Sequence, residues 1–175
     1  MEDIEKLKYP TGKYKAPETI DNQTIKGWIQ QVSALPTDLR TITVGLSDEV
    51  LLRTYRPGSW NIRQIIHHIG DSHANSYLRF KWALTEDRPL IKAYYEDRWA
   101  ELSDSLEAPI DLSIDFIESL HKKWVYLLNH LTEDQWNRTF KHPETGRELT
   151  LKWNLGLYAW HGNHHLTHIK LAMHQ

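Results

Sequence analysis

Histidines are concentrated in two segments that lie far apart in the sequence. Four of the chain's 11 histidines fall within eight residues near the C-terminus, at His161, His164, His165 and His168, and the upstream segment reads His67-His68-Ile69-Gly70-Asp71-Ser72-His73. Imidazole is the commonest metal ligand in proteins. The chain contains no cysteine, so thiolate metal sites and a cysteine nucleophile are excluded. The two segments together predict a transition-metal site with nitrogen ligands.

The spacing of the C-terminal histidines is typical of metal ligands on a helix. At about 100° per residue, all four lie on the apolar face and the lysines of the helix lie opposite. Residues four apart can bind the same ion. Two pairs have this spacing, and we prefer His161 with His165 over His164 with His168 because the first pair lies nearer the centre of the inward face. The alternative is a set of core histidines that hydrogen-bond to carbonyls and tyrosines.

The upstream segment offers a third ligand. On a helical wheel, His68 borders a stripe of isoleucines and shares its face with polar residues that include Asp71, Asn75 and Arg79. Asp71, one turn further on, is predicted to orient an imidazole or to act as a base. Three histidines with an open coordination position are typical of a catalytic metal site. The alternative is that this polar face is solvated.

Apolar residues recur at spacings of three and four in four stretches, which predicts four amphipathic helices. These stretches cover about residues 22–44, 60–85 and 112–131, and residue 150 to near the C-terminus. Pro36 is expected to kink or break the first helix. Ser59 or Asn61 is predicted to cap the second helix, and Thr150 the fourth. Four such helices predict an all-α, single-domain four-helix bundle spanning residues 1–175.

The remaining segments are predicted to be irregular. Residues 9–19 read as an extended arm, and residues 142–146 as the turn of a short hairpin before the last helix. Residues 87–109 carry Tyr94, Tyr95 and Trp99 among charged residues. These aromatic side chains either pack under a loop or belong to the lid of a pocket.

Composition narrows the class of protein. The chain of 175 residues is 40% apolar and 25% charged, with a net charge of -2. A nucleic-acid partner would call for a basic face, so none is expected. The N-terminus lacks the apolar stretch of a signal peptide, and no apolar run is long enough to cross a membrane. We therefore expect a cytoplasmic protein that acts on a small molecule.

Several segments resemble the DinB-like metal-binding four-helix bundles, and more closely their YfiT branch. The resemblance rests on Trp60 followed by His67-His68-Ile69-Gly70-Asp71 and on the C-terminal His-x-x-x-His, within matching segments 9–14, 60–81 and 155–168. Members of this branch are described as metal-dependent hydrolases and are linked to bacillithiol S-transferases. The family's fold and metal are more transferable than its reaction.

The resemblance implies metal ligands at His68, His161 and His165, the same three residues that the helical wheels favour. It also implies zinc or nickel as the metal, a homodimer and a cytoplasmic location. His164 and His168 are then expected to be pocket or packing residues. His121, His130 and His142 are expected at the surface or in local hydrogen bonds.

Three functions remain open at this point. In hydrolysis, the metal lowers the pKa of a bound water, and Asp71 or a carboxylate of residues 87–107 serves as the base. In thiol transfer, a low-molecular-weight thiol such as bacillithiol is deprotonated at the metal and delivered to an electrophile, with Asn75 and Arg79 holding an acidic thiol. The third function is a non-enzymatic metal-binding or stress-response module. The polar-lined, acid-poor face of the second helix favours transfer slightly on mechanism, whereas the resemblance favours a hydrolase.

Overall fold

The chain folds mainly into helices, and the computed structural model describes residues 4–174. Four of the helices are long and form the predicted bundle, preceded by an irregular arm and interrupted before the last helix by a short antiparallel hairpin. The predicted all-α four-helix bundle is therefore confirmed. In chain order, the elements are α1 (Ile4–Lys8), α2 (Asn22–Thr43), α3 (Asp48–Leu51), α4 (Ile62–Thr85), α5 (Glu96–Trp99), α6 (Ser103–Leu106), α7 (Ile110–Leu128), α8 (Glu133–Trp136), β1 (Thr139–Lys141), β2 (Glu148–Thr150) and α9 (Leu151–Met173).

Side-chain caps set where three of the four long helices begin. Asp21 accepts a hydrogen bond from the Thr24 backbone N–H at the start of α2. Asn61, one of the two predicted caps of α4, forms a reciprocal capping box with Gln64. Thr150 caps α9 as predicted. These caps satisfy backbone N–H groups that have no partner within the helix.

Pro36 does not end the first long helix. The helix α2 runs without interruption from Asn22 to Thr43 and contains Pro36 in its interior, so the expected break is absent. Proline has no backbone N–H, so it cannot donate to the carbonyl of Val32 one turn earlier. The Val32 carbonyl is therefore free to accept a hydrogen bond from another part of the protein.

The four long helices pack in a ring rather than in chain order. Each of α2 and α4 packs against both α7 and α9, so α2 and α4 lie on one diagonal of the bundle and α7 and α9 on the other. Gly162 of α9 permits a close approach to α2, since a Cβ atom there would lie 2.7 Å from a methyl carbon of Leu35. Residues of α4 and α9 therefore face each other as adjacent helices.

Two apolar clusters fill the bundle, and a polar layer separates them. One cluster contains Phe80 of α4 and Leu155 of α9, and the other contains Ile65 of α4 and Leu166 of α9. His68 and His73 of α4 and His161 and His165 of α9 fall between these positions. The fold therefore places the histidines in the middle of the bundle, where water is largely excluded.

The N-terminal arm crosses the last helix. The indole N–H of Trp160 donates to the carbonyl of Gly12 at 3.0 Å, and the hydroxyl of Tyr14 donates to the carbonyl of Trp153 at 3.3 Å. These bonds hold the arm beside the histidine segment of α9. Within residues 4–174, none of the helices combines the length and apolar character needed to cross a membrane.

Candidate metal centre

Three histidines from two adjacent helices meet in the polar layer. His68 of α4 and His161 and His165 of α9 each place one ring nitrogen within 4.8 Å of the other two. The Nε2 atoms of His68 and His161 are 3.2 Å apart. Two nitrogens bound to one tetrahedral zinc ion at about 2.0–2.1 Å would lie about 3.3 Å apart. The donor atoms therefore fit a divalent transition metal.

His165 has no hydrogen-bond partner among residues 4–174. Its imidazole is 8% exposed and makes no hydrogen bond with any residue in the described range 4–174, and its Nδ1 atom is fully buried. A buried polar group without a partner costs about 1–3 kcal/mol. One ring nitrogen of His165 belongs to the cluster, so a bound metal would give this imidazole a partner that residues 4–174 do not supply.

Burial keeps the three imidazoles neutral. It lowers the pKa of His68 to about 4, and burial followed by the neighbouring histidines lowers the pKa of His161 and His165 well below the ordinary value. A neutral imidazole has a lone pair for a metal, whereas a protonated one does not. The cluster is therefore ready to bind a cation near neutral pH without losing protons first.

The partner of His161 is another histidine rather than the predicted carboxylate. The Nδ1 atom of His161 faces the Nε2 atom of His73 at 3.2 Å. The carboxyl of Asp71 hydrogen-bonds to no residue that the structure describes, and burial together with Asp104 raises its pKa to about 6. The structure therefore does not bring Asp71 to the three histidines in the orienting role expected from the sequence.

Replacing Asp71 by asparagine is expected to leave zinc affinity unchanged and to stabilise the protein at neutral pH. The folded pKa of about 6 lies above the unfolded value of 3.8, so ionisation of this carboxyl opposes folding as the pH rises through 6. Denaturant unfolding should show a gain for Asp71→Asn at about pH 8 and little change at about pH 4. A large loss of zinc affinity in Asp71→Asn would instead show that Asp71 acts at the metal site.

A cavity of about 460 Å³ opens onto the cluster at His161. Arg79 lines it and is only 8% exposed, and its Nε atom is buried without a hydrogen bond. One terminal N–H of Arg79 donates to the Tyr158 hydroxyl at 3.3 Å, and no carboxylate in residues 4–174 forms an ion pair with it. A buried guanidinium without a counterion is a strong site for an anionic group of a ligand.

Residues of the irregular segment close this cavity. Tyr94, Tyr95, Glu96 and Asp97 all line it, so the first two aromatics of the segment belong to a pocket wall. Burial, followed by the charges of Asp97 and Glu144, raises the pKa of Glu96. A carboxylate with a raised pKa is a better general base than one with the ordinary pKa.

A second cavity, of about 340 Å³, opens onto the cluster at His165. Lys8, Arg56 and Trp60 line it, and Asp97 borders both cavities. The three histidines therefore lie between two separate spaces, each of which contains a basic side chain. Neither cavity is lined by Asn75, whose amide donates to the backbone carbonyl one turn earlier, so the structure does not bring Asn75 to the predicted pocket.

Comparison with known proteins decides the family. The sequence profile of the DinB superfamily matches residues 31–169, which is most of the chain. The chain belongs to the DinB superfamily. It is 47% identical over 166 residues to a protein of Halalkalibacterium halodurans named "Putative metal-dependent hydrolase", covering 95% of this chain and 96% of that one. A protein of Oceanobacillus iheyensis with the same name is 47% identical over 162 residues, which is 93% of each chain.

A solved DinB-superfamily structure shares the fold. The structure is that of YfiT from Bacillus subtilis, described as "a probable metal-dependent hydrolase with an unusual four-helix bundle topology", and it covers 94% of each chain with a TM-score of 0.92 and 43% sequence identity. The predicted resemblance to this family is thus confirmed.

The other two C-terminal histidines, His164 and His168, lie beside the cluster, with ring centroids 5.1 and 5.5 Å from that of His165. His168 stacks on Tyr55 with ring centroids 3.8 Å apart and bonds to the carbonyl of Lys8 at 3.2 Å. His164 stacks on Trp160 with centroids 4.5 Å apart and lies 3.4 Å from the Thr11 hydroxyl. Both therefore hold the N-terminal arm and the cavity wall, as expected for packing residues.

Sequence reasoning missed His121. It was expected at the surface or in a local hydrogen bond, but it is 1% exposed and contacts His73 across the bundle, with His73 Nδ1 and His121 Nε2 2.9 Å apart. The signal was present in the sequence, because His121 occupies a place in an inward row of apolar residues. That row consists of Ile114, Ile117, His121, Trp124 and Leu128.

Proposed function

We propose that this protein is a metal-dependent hydrolase whose metal is held by His68, His161 and His165 and whose substrate carries an anionic group. The observation that supports it best is that His161 lines the same cavity as Arg79, a buried cation without a counterion, and Glu96. A divalent metal in such a site supplies an acidified water and polarises a carbonyl or similar group. The relatives' names favour the same class.

Residues that line the cavity bind the substrate, transfer a proton and exclude water. Arg79, oriented by the Tyr158 hydroxyl, binds the anionic group and fixes the reacting bond beside His161. Glu96 accepts a proton from the attacking water, because its carboxyl lines the cavity and has a raised pKa. Tyr94 and Tyr95 wall the cavity and limit the access of bulk water.

Thiol transfer is the second candidate, and the two cavities favour it. A transfer reaction needs room for two substrates, and the cluster lies between a space at His161 and another at His165. The chain has no cysteine, so the thiol would be a substrate rather than a side chain. Zinc or nickel as the metal, the homodimer and the cytoplasmic location stay predictions.

Turnover assays distinguish these functions. The zinc-loaded protein is incubated with esters and amides that bear a free carboxylate, with their uncharged counterparts, and with bacillithiol plus monochlorobimane. Hydrolysis of the carboxylate-bearing compounds alone supports the first proposal, and thiol-dependent conjugation alone supports the second. If the metal-loaded protein turns over neither the esters and amides nor the thiol with its electrophile, it is a metal-binding module without enzymatic activity.

Replacing Arg79 by glutamine is expected to lower kcat/KM for carboxylate-bearing substrates by at least about 30-fold, because a buried charge pair is lost. Uncharged substrates should change by only a few-fold, since they make no such pair. Arg147, whose side chain lies over the Trp153 ring outside both cavities, provides the matched control as Arg147→Gln. Equal losses on charged and uncharged substrates would contradict an anion-binding role.

A further inference from the structure

A single row of hydrogen bonds takes one group from each of the four long helices. His161 of α9 contacts His73 of α4 at 3.2 Å, and His73 contacts His121 of α7 at 2.9 Å. The Nδ1 atom of His121 then lies 2.6 Å from the carbonyl of Val32 in α2. His73 is fully buried and His121 is 1% exposed, so water does not interrupt the row.

The carbonyl at the end of this row fixes the direction of every bond. A carbonyl only accepts, so His121 must carry its proton on Nδ1 and leave Nε2 bare. The bare Nε2 of His121 accepts from Nδ1–H of His73, whose own Nε2 is then bare. That atom accepts from Nδ1–H of His161. Each imidazole is neutral, as expected for buried rings without a carboxylate partner, and so has one donor and one acceptor.

We infer that His73 and His121 are positioning residues, which hold His161 in the tautomer that leaves its Nε2 lone pair free at the three-histidine cluster before a metal arrives. This inference rests on the proposed metal site. In the opposite tautomer, the proton on Nε2 would occupy the place of the metal. The Nε2 atom of His161 also lies 3.2 Å from Nε2 of His68, so in the metal-free protein His68 is the donor of that pair.

Pro36 explains why the anchoring carbonyl is available. Within a regular helix, the Val32 carbonyl would accept from the N–H of residue 36, and proline has none. The Val32 carbonyl therefore accepts a hydrogen bond from His121 on the neighbouring helix α7. The proline inside α2, the buried histidine of α7 and the metal ligand of α9 are thus parts of one arrangement.

The tautomers are measurable without metal or activity. In chelator-treated protein labelled with ¹⁵N-histidine, long-range ¹H–¹⁵N correlation spectra report which ring nitrogen carries the proton. We expect the Nδ1–H tautomer for His161, His73 and His121, and the Nε2–H tautomer for His68. A proton on Nε2 of His161 in the wild-type protein would overturn the inference, whether or not the protein binds metal.

Substitution at His121 tests the effect on the metal. His121→Leu removes the acceptor for His73, and we expect mixed tautomers at His161 and a zinc dissociation constant about 10–100-fold higher. His121→Gln retains an acceptor oxygen, so we expect it to keep the His161 tautomer and most of the zinc affinity. If His121→Leu does not fold, the wild-type spectrum still decides the question, because a proton on Nε2 of His161 would overturn the inference.

His67 provides the matched control. It is a buried histidine of α4 that bonds to Ser113 and to the carbonyl of Ala108, away from the cluster. His67→Leu removes a buried imidazole and its hydrogen bonds, as His121→Leu does. It should nevertheless leave the His161 tautomer and the zinc affinity unchanged. Equal changes of zinc affinity in the two leucine variants would show that His121 acts through stability alone and would overturn the inference.

Discussion

Zinc is expected to raise the melting temperature of the wild-type protein by roughly 8–16 °C, and His165→Ala should abolish this rise. A ligand at a thousand times its dissociation constant stabilises the folded state by about 4 kcal/mol. In a chain of this size, each kcal/mol shifts the melting temperature by roughly 2–4 °C. His165 is the most informative position because its imidazole has no hydrogen-bond partner among residues 4–174, so its replacement breaks no hydrogen bond of the described structure.

Thermal unfolding with and without zinc measures this effect. His130, whose Nδ1 bonds to the carbonyl of Tyr126 at the end of α7, supplies the control variant His130→Ala, which should keep the full rise. His165→Ala is expected to melt near the metal-free wild-type protein under both conditions. If zinc raises the melting temperature of His165→Ala as much as that of the wild type, His165 does not bind the metal.

Acid is expected to unfold the metal-free protein well above the pH at which carboxylates protonate. Burial lowers the pKa of His68 and of His121 to about 4, whereas an unfolded histidine titrates near 6.5. The stability that comes from keeping each ring neutral is present above pH 6.5 and is lost as the pH falls toward 4. One such residue contributes on the order of 3 kcal/mol, so two or three suffice to unfold a typical domain.

Denaturant unfolding of chelator-treated protein between about pH 7.5 and about pH 4.5 checks this expectation. The free energy of unfolding should fall steeply over that interval, with net uptake of protons. His121→Gln removes one buried titrating ring, so its loss of stability over the same interval should be smaller. A free energy of unfolding that stays constant down to about pH 5 would contradict the neutral, buried state of these histidines.

Much of the bundle follows from local sequence signals. The four helices are set by apolar spacing and by caps at Asp21, Asn61 and Thr150, which act within a few residues of their own position. The same spacing places His161 and His165 on one inward face. Local geometry on a single helix is therefore enough to predict which side chains can share a ligand.

Contacts between helices were less accessible to sequence reasoning. A helical wheel shows that His121 faces inward but not which helix it meets, because that depends on the ring order that puts α2 and α4 on a diagonal. For the same reason, Asp71 was expected beside a ligand, although His73 takes that position. Pro36 was read as a helix breaker, yet tertiary packing retains the helix and uses the carbonyl that proline leaves free.

Metal content is the most direct test of the three-histidine site. Wild-type protein, expressed without a tag and purified without an immobilised-metal column, is analysed by inductively coupled plasma mass spectrometry beside His68→Ala and His130→Ala. We expect about one zinc or nickel ion per chain in the wild type and in His130→Ala, and close to none in His68→Ala. A metal-free wild type that also fails to take up zinc or nickel, or equal metal content in His68→Ala, would contradict the site.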